Sequence, residues 1–224
     1  MTPRTWADAL HAGTSPADWD REILIERREI GRLRLPSGRL VAADAMVEPA
    51  LPAFDRVVEP GEYPVHLAIA HFRKGGDQRI AAAWVVLSSN PIARWVPTGL
   101  DSTARRQPKP GEPSAYGVDS GTGSFLSPEA AAVMAGQLSD EFAERAAEQM
   151  HASYMHTREW AMVELPGQLN LALFSSGLGD GAYPSYWGLD AEEKPVVLLT
   201  DFGLLDAPEE LRPGKAAKPW WRFW

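Results

Sequence analysis

Glycine and proline punctuate this chain from end to end, 19 of each among 224 residues, and that spacing argues against an architecture built on long helices. Proline removes a helical hydrogen bond and glycine costs backbone entropy inside a helix. Both suit the turns between short strands. The apolar pattern agrees. Val65, Leu67 and Ile69 alternate with His66, Ala68 and Ala70, the period of a strand. Residues 80–87 are apolar throughout, which predicts a central strand buried on both faces. Residues 23–47 read as a β-hairpin turning at Pro36-Ser37-Gly38-Arg39. Further strands are expected at 92–96, 116–119, 161–165, 170–175 and 196–201, with loops at 74–77, 105–113 and 176–193.

One long helix is expected at about 128–151. Ser127 can cap it, Pro128 suits its first position and Glu129 suits its dipole. Met134, Leu138, Phe142 and Ala146 share a face, with Asp140, Glu141, Glu144 and Glu148 turned outward. The predicted fold is α+β, predominantly antiparallel β-sheet with this one long helix. Repeated βαβ alternation is missing, which argues against a Rossmann-type sheet. Residues 1–206 read as a single mostly-β domain with an N-terminal arm. Residues 207–224 read as a Pro-rich, charged linker and a Trp-rich tail.

The net charge is −8, the wrong sign for a general phosphate-binding surface, so no nucleic-acid partner is expected. There are no cysteines, which excludes disulfides, thiolate metal sites and cysteine nucleophiles. No apolar run reaches the ~18 residues of a membrane span, and residues 1–20 hold no apolar signal segment. A cytoplasmic protein with no cofactor is expected, and a membrane partner is not.

Two glycine-aspartate motifs stand out. Ser175-Ser176-Gly177-Leu178-Gly179-Asp180-Gly181-Ala182-Tyr183-Pro184-Ser185-Tyr186-Trp187-Gly188-Leu189-Asp190 offers the carboxylates of Asp180 and Asp190 and the aromatic groups of Tyr183, Tyr186 and Trp187. These residue types suit a ligand or partner site; they equally suit a β-loop whose aspartates bond their own backbone and whose aromatics pack inside. Gly117-Val118-Asp119-Ser120-Gly121-Thr122-Gly123 is a glycine-rich turn shortly before a helix, a place where backbone amides can cradle an anion. It matches neither GxGxxG nor the phosphate-loop ending. In each motif, Gly179-Asp180-Gly181 and Gly121-Thr122-Gly123, at least one residue is expected at positive φ. No GxSxG elbow and no HExxH occurs. The tail carries Trp220, Trp221 and Trp224 among Lys218, Arg222 and Phe223. Such a segment can fold back on its own domain, dock into a partner or lie on a membrane surface.

The order of Leu40-Val41-Ala42, Pro60-Gly61-Glu62-Tyr63-Pro64-Val65, the 117–123 motif, the 175–190 motif and Thr200-Asp201-Phe202 resembles the bacterial domain-of-unknown-function family numbered forty-two forty-one. The resemblance spans roughly residues 33–202. It implies a bacterial protein and carries no activity, cofactor or catalytic residue with it.

Two functions follow as expectations. The first is a non-enzymatic protein- or ligand-binding module of immunity or adaptor type, with a protein partner held through the tail and with Asp119, Asp180, Tyr183, Tyr186, Trp187, Asp190, Trp220, Trp221 and Trp224 as binding residues. The second is a hydrolase-like enzyme using Asp119, Asp180, Asp190 and Asp201, with or without a metal. Convergence of Asp119 and Asp180 on one pocket would favour the enzyme.

Overall fold

The computed structural model describes residues 5–10, 23–72, 75–137, 140–208 and 211. In chain order its elements are α1 (Trp6–Ala9), β1 (Ile23–Leu35), β2 (Val41–Ala43), β3 (Gly61–Phe72), β4 (Gln78–Val86), β5 (Arg94–Pro97), β6 (Ala115–Val118) and β7 (Thr122–Leu126). There follow α2 (Pro128–Gln137), α3 (Asp140–His151), β8 (Trp160–Leu165), β9 (Leu169–Ser175), β10 (Gly181–Leu189) and β11 (Pro195–Asp201). The strands make two antiparallel sheets. The larger runs β1-β3-β4-β11-β10-β5, with β6 also paired to β10; the smaller runs β2-β7-β9-β8. The fold is α+β with β predominant, as the turn-rich sequence predicts.

Three apolar layers hold the sheets. Between them, Leu67, Ile69, Val85 and Leu198 of the large sheet meet Phe125 and Phe174 of the small one. Behind the small sheet, Leu126, Val163 and Leu171 pack on Met134, Phe142, Ala146 and Met150. Behind the large sheet, Ala68, Trp84 and Leu199 are covered by Ala9, Leu10, Leu205 and Leu211. β4 and β11 thus have both faces buried, which is why residues 80–85 need no polar alternation.

Several expectations change in detail. The stretch 23–47 does not close into a hairpin: β1 pairs β3 and β2 pairs β7, in different sheets. The turn between them is present, with the Gly38 amide donating to Leu35 O (3.1 Å). The expected helix at 128–151 is described as α2 and α3, and residues 138 and 139 between them, Leu138 included, lie outside the described residues. Its start is as predicted: the Ala130 amide donates to Ser127 Oγ (3.1 Å). The expected loop 176–193 contains β10, whose partner changes along its length from β6 to β5.

β1 lies at the edge of the large sheet and is guarded by charge, with Glu26, Arg27, Arg28, Glu29, Arg32 and Arg34 along it. The Arg34 amide donates to Asn170 Oδ1 (2.9 Å) and Asn170 Nδ2 donates to Arg32 O (2.8 Å), so a buried asparagine of β9 occupies part of that edge. Further along, Arg28 Nε donates to Glu26 Oε1 (2.9 Å), and His71 Nε2 lies 2.9 Å from Glu26 Oε2. Burial acts to raise the Glu26 carboxyl, but the hydrogen bonds from Arg28 and His71 outweigh it and hold its pKa below the ordinary 4.5. A depressed folded-state pKa adds stability above the unfolded value, and that stability is lost as pH falls through the folded value. Glu26→Gln is therefore expected to flatten the fall in stability below about pH 4.5, read from urea titrations at descending pH. An unchanged acid limb would show that the pair is not linked to folding.

Candidate functional site

The two glycine motifs meet in space. The Ser176 amide donates to Gly121 O (3.0 Å). The 119–121 turn is itself pinned by Asp44, a carboxylate only 2% exposed. Asp44 Oδ2 accepts the amides of Asp119 (2.9 Å) and Ser120 (2.8 Å), while Oδ1 accepts Ser120 Oγ (2.8 Å) and the Met46 amide (3.1 Å). The anion that this turn cradles is a side chain of the same chain. Asp119 contributes its backbone to that contact and leaves its carboxylate exposed.

The second loop is bonded just as closely. The Gly179 amide donates to Ser176 O (2.7 Å), Ser176 Oγ donates to Gly179 O (2.8 Å), and Tyr183 OH donates to Gly179 O (2.6 Å). Gly179 (φ 118°) and Gly121 (φ 69°) supply the positive φ expected in each motif, and Gly177 (φ 50°) adds another. Gly177 also lies against Phe202, where a Cβ would sit 2.9 Å from Phe202 Cβ and O. This cross-bonded loop presents Leu178, which is 65% exposed, and Asp180, also exposed.

Beside the loop is a cavity of about 430 Å³. Its wall is mostly apolar: Ile23 and Phe72 from paired ends of β1 and β3, Ala182 and Pro184 from β10, Leu178 from the loop, and Leu204 beyond β11. Asp180, Tyr183 and Asp201 add the polar groups. Asp201 Oδ1 accepts the Gly203 amide (2.8 Å), which fixes the orientation of its carboxylate. An apolar cavity with a few oriented polar groups is the usual form of a small-ligand or side-chain receptor.

Residues 33–200 match a family described as a protein of unknown function, DUF4241. The chain belongs to the DUF4241 family. No curated protein and no solved structure matches the chain. The DUF4241 span takes in Asp44, both glycine loops and most of β1 to β11, while Ile23, Asp201 and Leu204 of the cavity wall lie outside it.

Within the DUF4241 span the remaining expected site residues disperse. Asp180 and Asp190 flank β10 at opposite ends, about 30 Å apart at ~3.3 Å per residue. Asp190 is spent on its own loop: Oδ1 accepts the amides of Glu192 (2.9 Å) and Lys194 (3.0 Å), and Oδ2 accepts Asn90 Nδ2 (2.7 Å). These bonds, with the one from Asn90 foremost, depress its pKa. Trp187 is fully buried between the sheets and donates through Nε1 to Asp55 Oδ1 (2.9 Å). Tyr186 is buried on the other face of the large sheet, where burial, with Asp201 adding to it, pushes its pKa up to about 12. Tyr183 is buried too, and burial again raises its pKa. Tyr183 and Trp187 share the inner face of β10 while Tyr186 points to the other, and all three are buried, so they form no exposed binding surface. Trp220, Trp221 and Trp224 lie outside the described residues.

Of the four carboxylates named for hydrolysis, Asp180 and Asp201 share the cavity, whereas Asp119 and Asp190 do not line it. Among the described residues no three His, Asp or Glu side chains come together as a metal-binding set. Sequence reasoning missed Asp44, Leu178 and the apolar wall. Asp44 had a signal, a lone acid inside the apolar run from Leu40 to Met46. Leu178 had one too, a large apolar residue held between two glycines.

Proposed function

We propose that this protein is a non-enzymatic binding module of adaptor or immunity type, which holds a protein partner at the cavity beside Leu178, with the C-terminal aromatic segment as a second contact. The observation that supports this most is Leu178. A large apolar side chain left 65% exposed on a loop fixed by its own hydrogen bonds is a preorganised contact. The loop does not need Leu178 for its own packing, so the residue is available to an interface. The scatter of Asp119 and Asp190 away from the cavity favours binding over carboxylate catalysis.

The test uses tagged full-length protein and a cell extract. Leu178→Glu is expected to leave the melting temperature unchanged, since the side chain is exposed, and to cost a retained partner at least ~10-fold in affinity, the loss of one interface anchor. Removal of residues 212–224 is expected to weaken the same capture with little change in melting temperature. Retention that is indifferent to both changes would overturn the reading.

A further inference from the structure

We propose that the cleft between the 48–52 and 103–106 segments is a second site, which binds a small organic phosphate monoester through Arg105 and Arg106. It shares no residue with the cavity beside Leu178 and does not depend on the binding-module reading. The two arginines differ from the others. Among the described residues every other arginine holds a carbonyl oxygen, a carboxylate or, at Arg145, the Phe142 ring. Arg105 and Arg106 have no such partner, stand side by side, are exposed, and both line a cleft of about 580 Å³. Neighbouring guanidiniums repel one another, and an anion held by both relieves that repulsion.

Both walls of the cleft are fixed. Asp101 Oδ1 accepts the Thr103 amide (2.9 Å), while Asp101 O accepts the Ala104 amide (3.1 Å) and Gln107 Nε2 (2.9 Å), so the loop that carries the arginines is closed on itself. The Asp101 amide donates to Ala53 O (2.8 Å), which ties this loop to the facing wall, and the Glu48 amide donates to Asp44 O (2.8 Å), which fixes where that wall begins. A set backbone lowers the ordering cost of binding. The chemistry of the donors then names the ligand. One guanidinium fork fills both oxygens of a carboxylate and leaves the second arginine unmatched. A phosphate monoester brings three terminal oxygens and nearly two negative charges, enough for both forks. Leu51 and Pro52, opposite the arginines, also wall an adjoining hollow of about 80 Å³ with Phe54 and Leu100, an apolar surface for the carbon part of the ester. Glu48 on the same cleft opposes the anion and limits its affinity.

Phenyl phosphate is the probe, titrated calorimetrically into the full-length protein. It is expected to bind with a Kd below ~1 mM, more tightly than inorganic phosphate, which lacks the apolar part, and more tightly than benzoate, which lacks the third oxygen. Changing Arg105 and Arg106 together to alanine is expected to weaken binding at least ~10-fold and to leave the melting temperature unchanged, since both side chains are exposed and unbonded. Lys109→Ala removes another exposed cation of the same connection and is expected to change nothing. Glu48→Gln is expected to tighten binding by removing the opposing charge. No binding at ~10 mM phenyl phosphate would overturn the proposal. Equal losses in Lys109→Ala and the double arginine variant would overturn it too, by showing diffuse attraction in place of a site, as would weaker binding in Glu48→Gln. Inorganic phosphate or benzoate binding as tightly as phenyl phosphate would refute the ester. A phosphoserine peptide that binds far more tightly than phenyl phosphate would give the cleft to a protein partner and overturn the small-ligand assignment.

Discussion

Gly38→Ala is expected to destabilise the protein by about 3–5 kcal/mol, the sum of left-handed strain and a steric conflict that side chains cannot relieve. Gly38 has φ +68°, and a Cβ built there would lie 1.8 Å from the carbonyl oxygen of Val58. That oxygen is backbone, so the 57–58 segment itself must move. The movement would break the bond from the Val58 amide to Gly38 O (2.9 Å), which ties the turn after β1 to the segment entering β3. Gly111 is the control. It has φ +82° with open space around it, so Gly111→Ala carries the conformational strain alone, about 1 kcal/mol. Urea unfolding midpoints measure both. Equal losses in the two variants would show that the close approach at Gly38 is not what stabilises the turn.

Asp44→Ala is expected to have an effect of similar size, about 3–5 kcal/mol, because it removes the acceptor of four hydrogen bonds at a buried position. Two backbone amides of the 119–121 turn and that of Met46 would be left without their partner. Ser120→Ala removes only one of the four bonds and is expected to cost about 1 kcal/mol. The damage should also spread. Gly121 O holds the Ser176 amide, so loosening the first turn loosens the loop that carries Leu178. Limited proteolysis of the Asp44→Ala protein is expected to cut near residues 176–180 faster than in the parent. Denaturant titration checks the stability, and a loss no greater than that of Ser120→Ala would remove Asp44 from its central place.

What could be read from the sequence, and what could not, divides by range. β4 and β11 were legible because their burial on both faces leaves continuous apolar runs, Ile80 to Val85 and Val196 to Leu199. The start of α2 was legible because capping is local chemistry, Ser127 acting on an amide three residues away. β10 was hidden by Gly181, Pro184 and Gly188, which together read as loop. They are tolerated because Pro184 stands where the neighbouring strand changes from β6 to β5. The false hairpin at 23–47 has the same origin: alternation shows that β1 is a strand but not which strand it pairs with. Asp44 meets amides 75 and 76 residues away, and no local pattern announces that. The cavity depends on residues 23, 72, 178 and 204 meeting, which only the completed sheet brings about.

The place of β11 bears on how this protein is made. The strand is among the last elements in the chain, yet it lies in the middle of the large sheet, between β4 and β10. Until residue 201 has left the ribosome, β4 is denied one of its two neighbours, and its apolar row from Ile80 to Val85 lies along an open edge. Pairings that span more than a hundred residues form slowly, because the loop must close before any contact rewards it. A nascent chain in that condition exposes an adhesive strand for the whole time that residues 87–194 are being synthesised, roughly 5–20 s at ~5–20 residues per second. A fragment ending before Pro195 is therefore expected to aggregate rather than fold to a smaller version of itself.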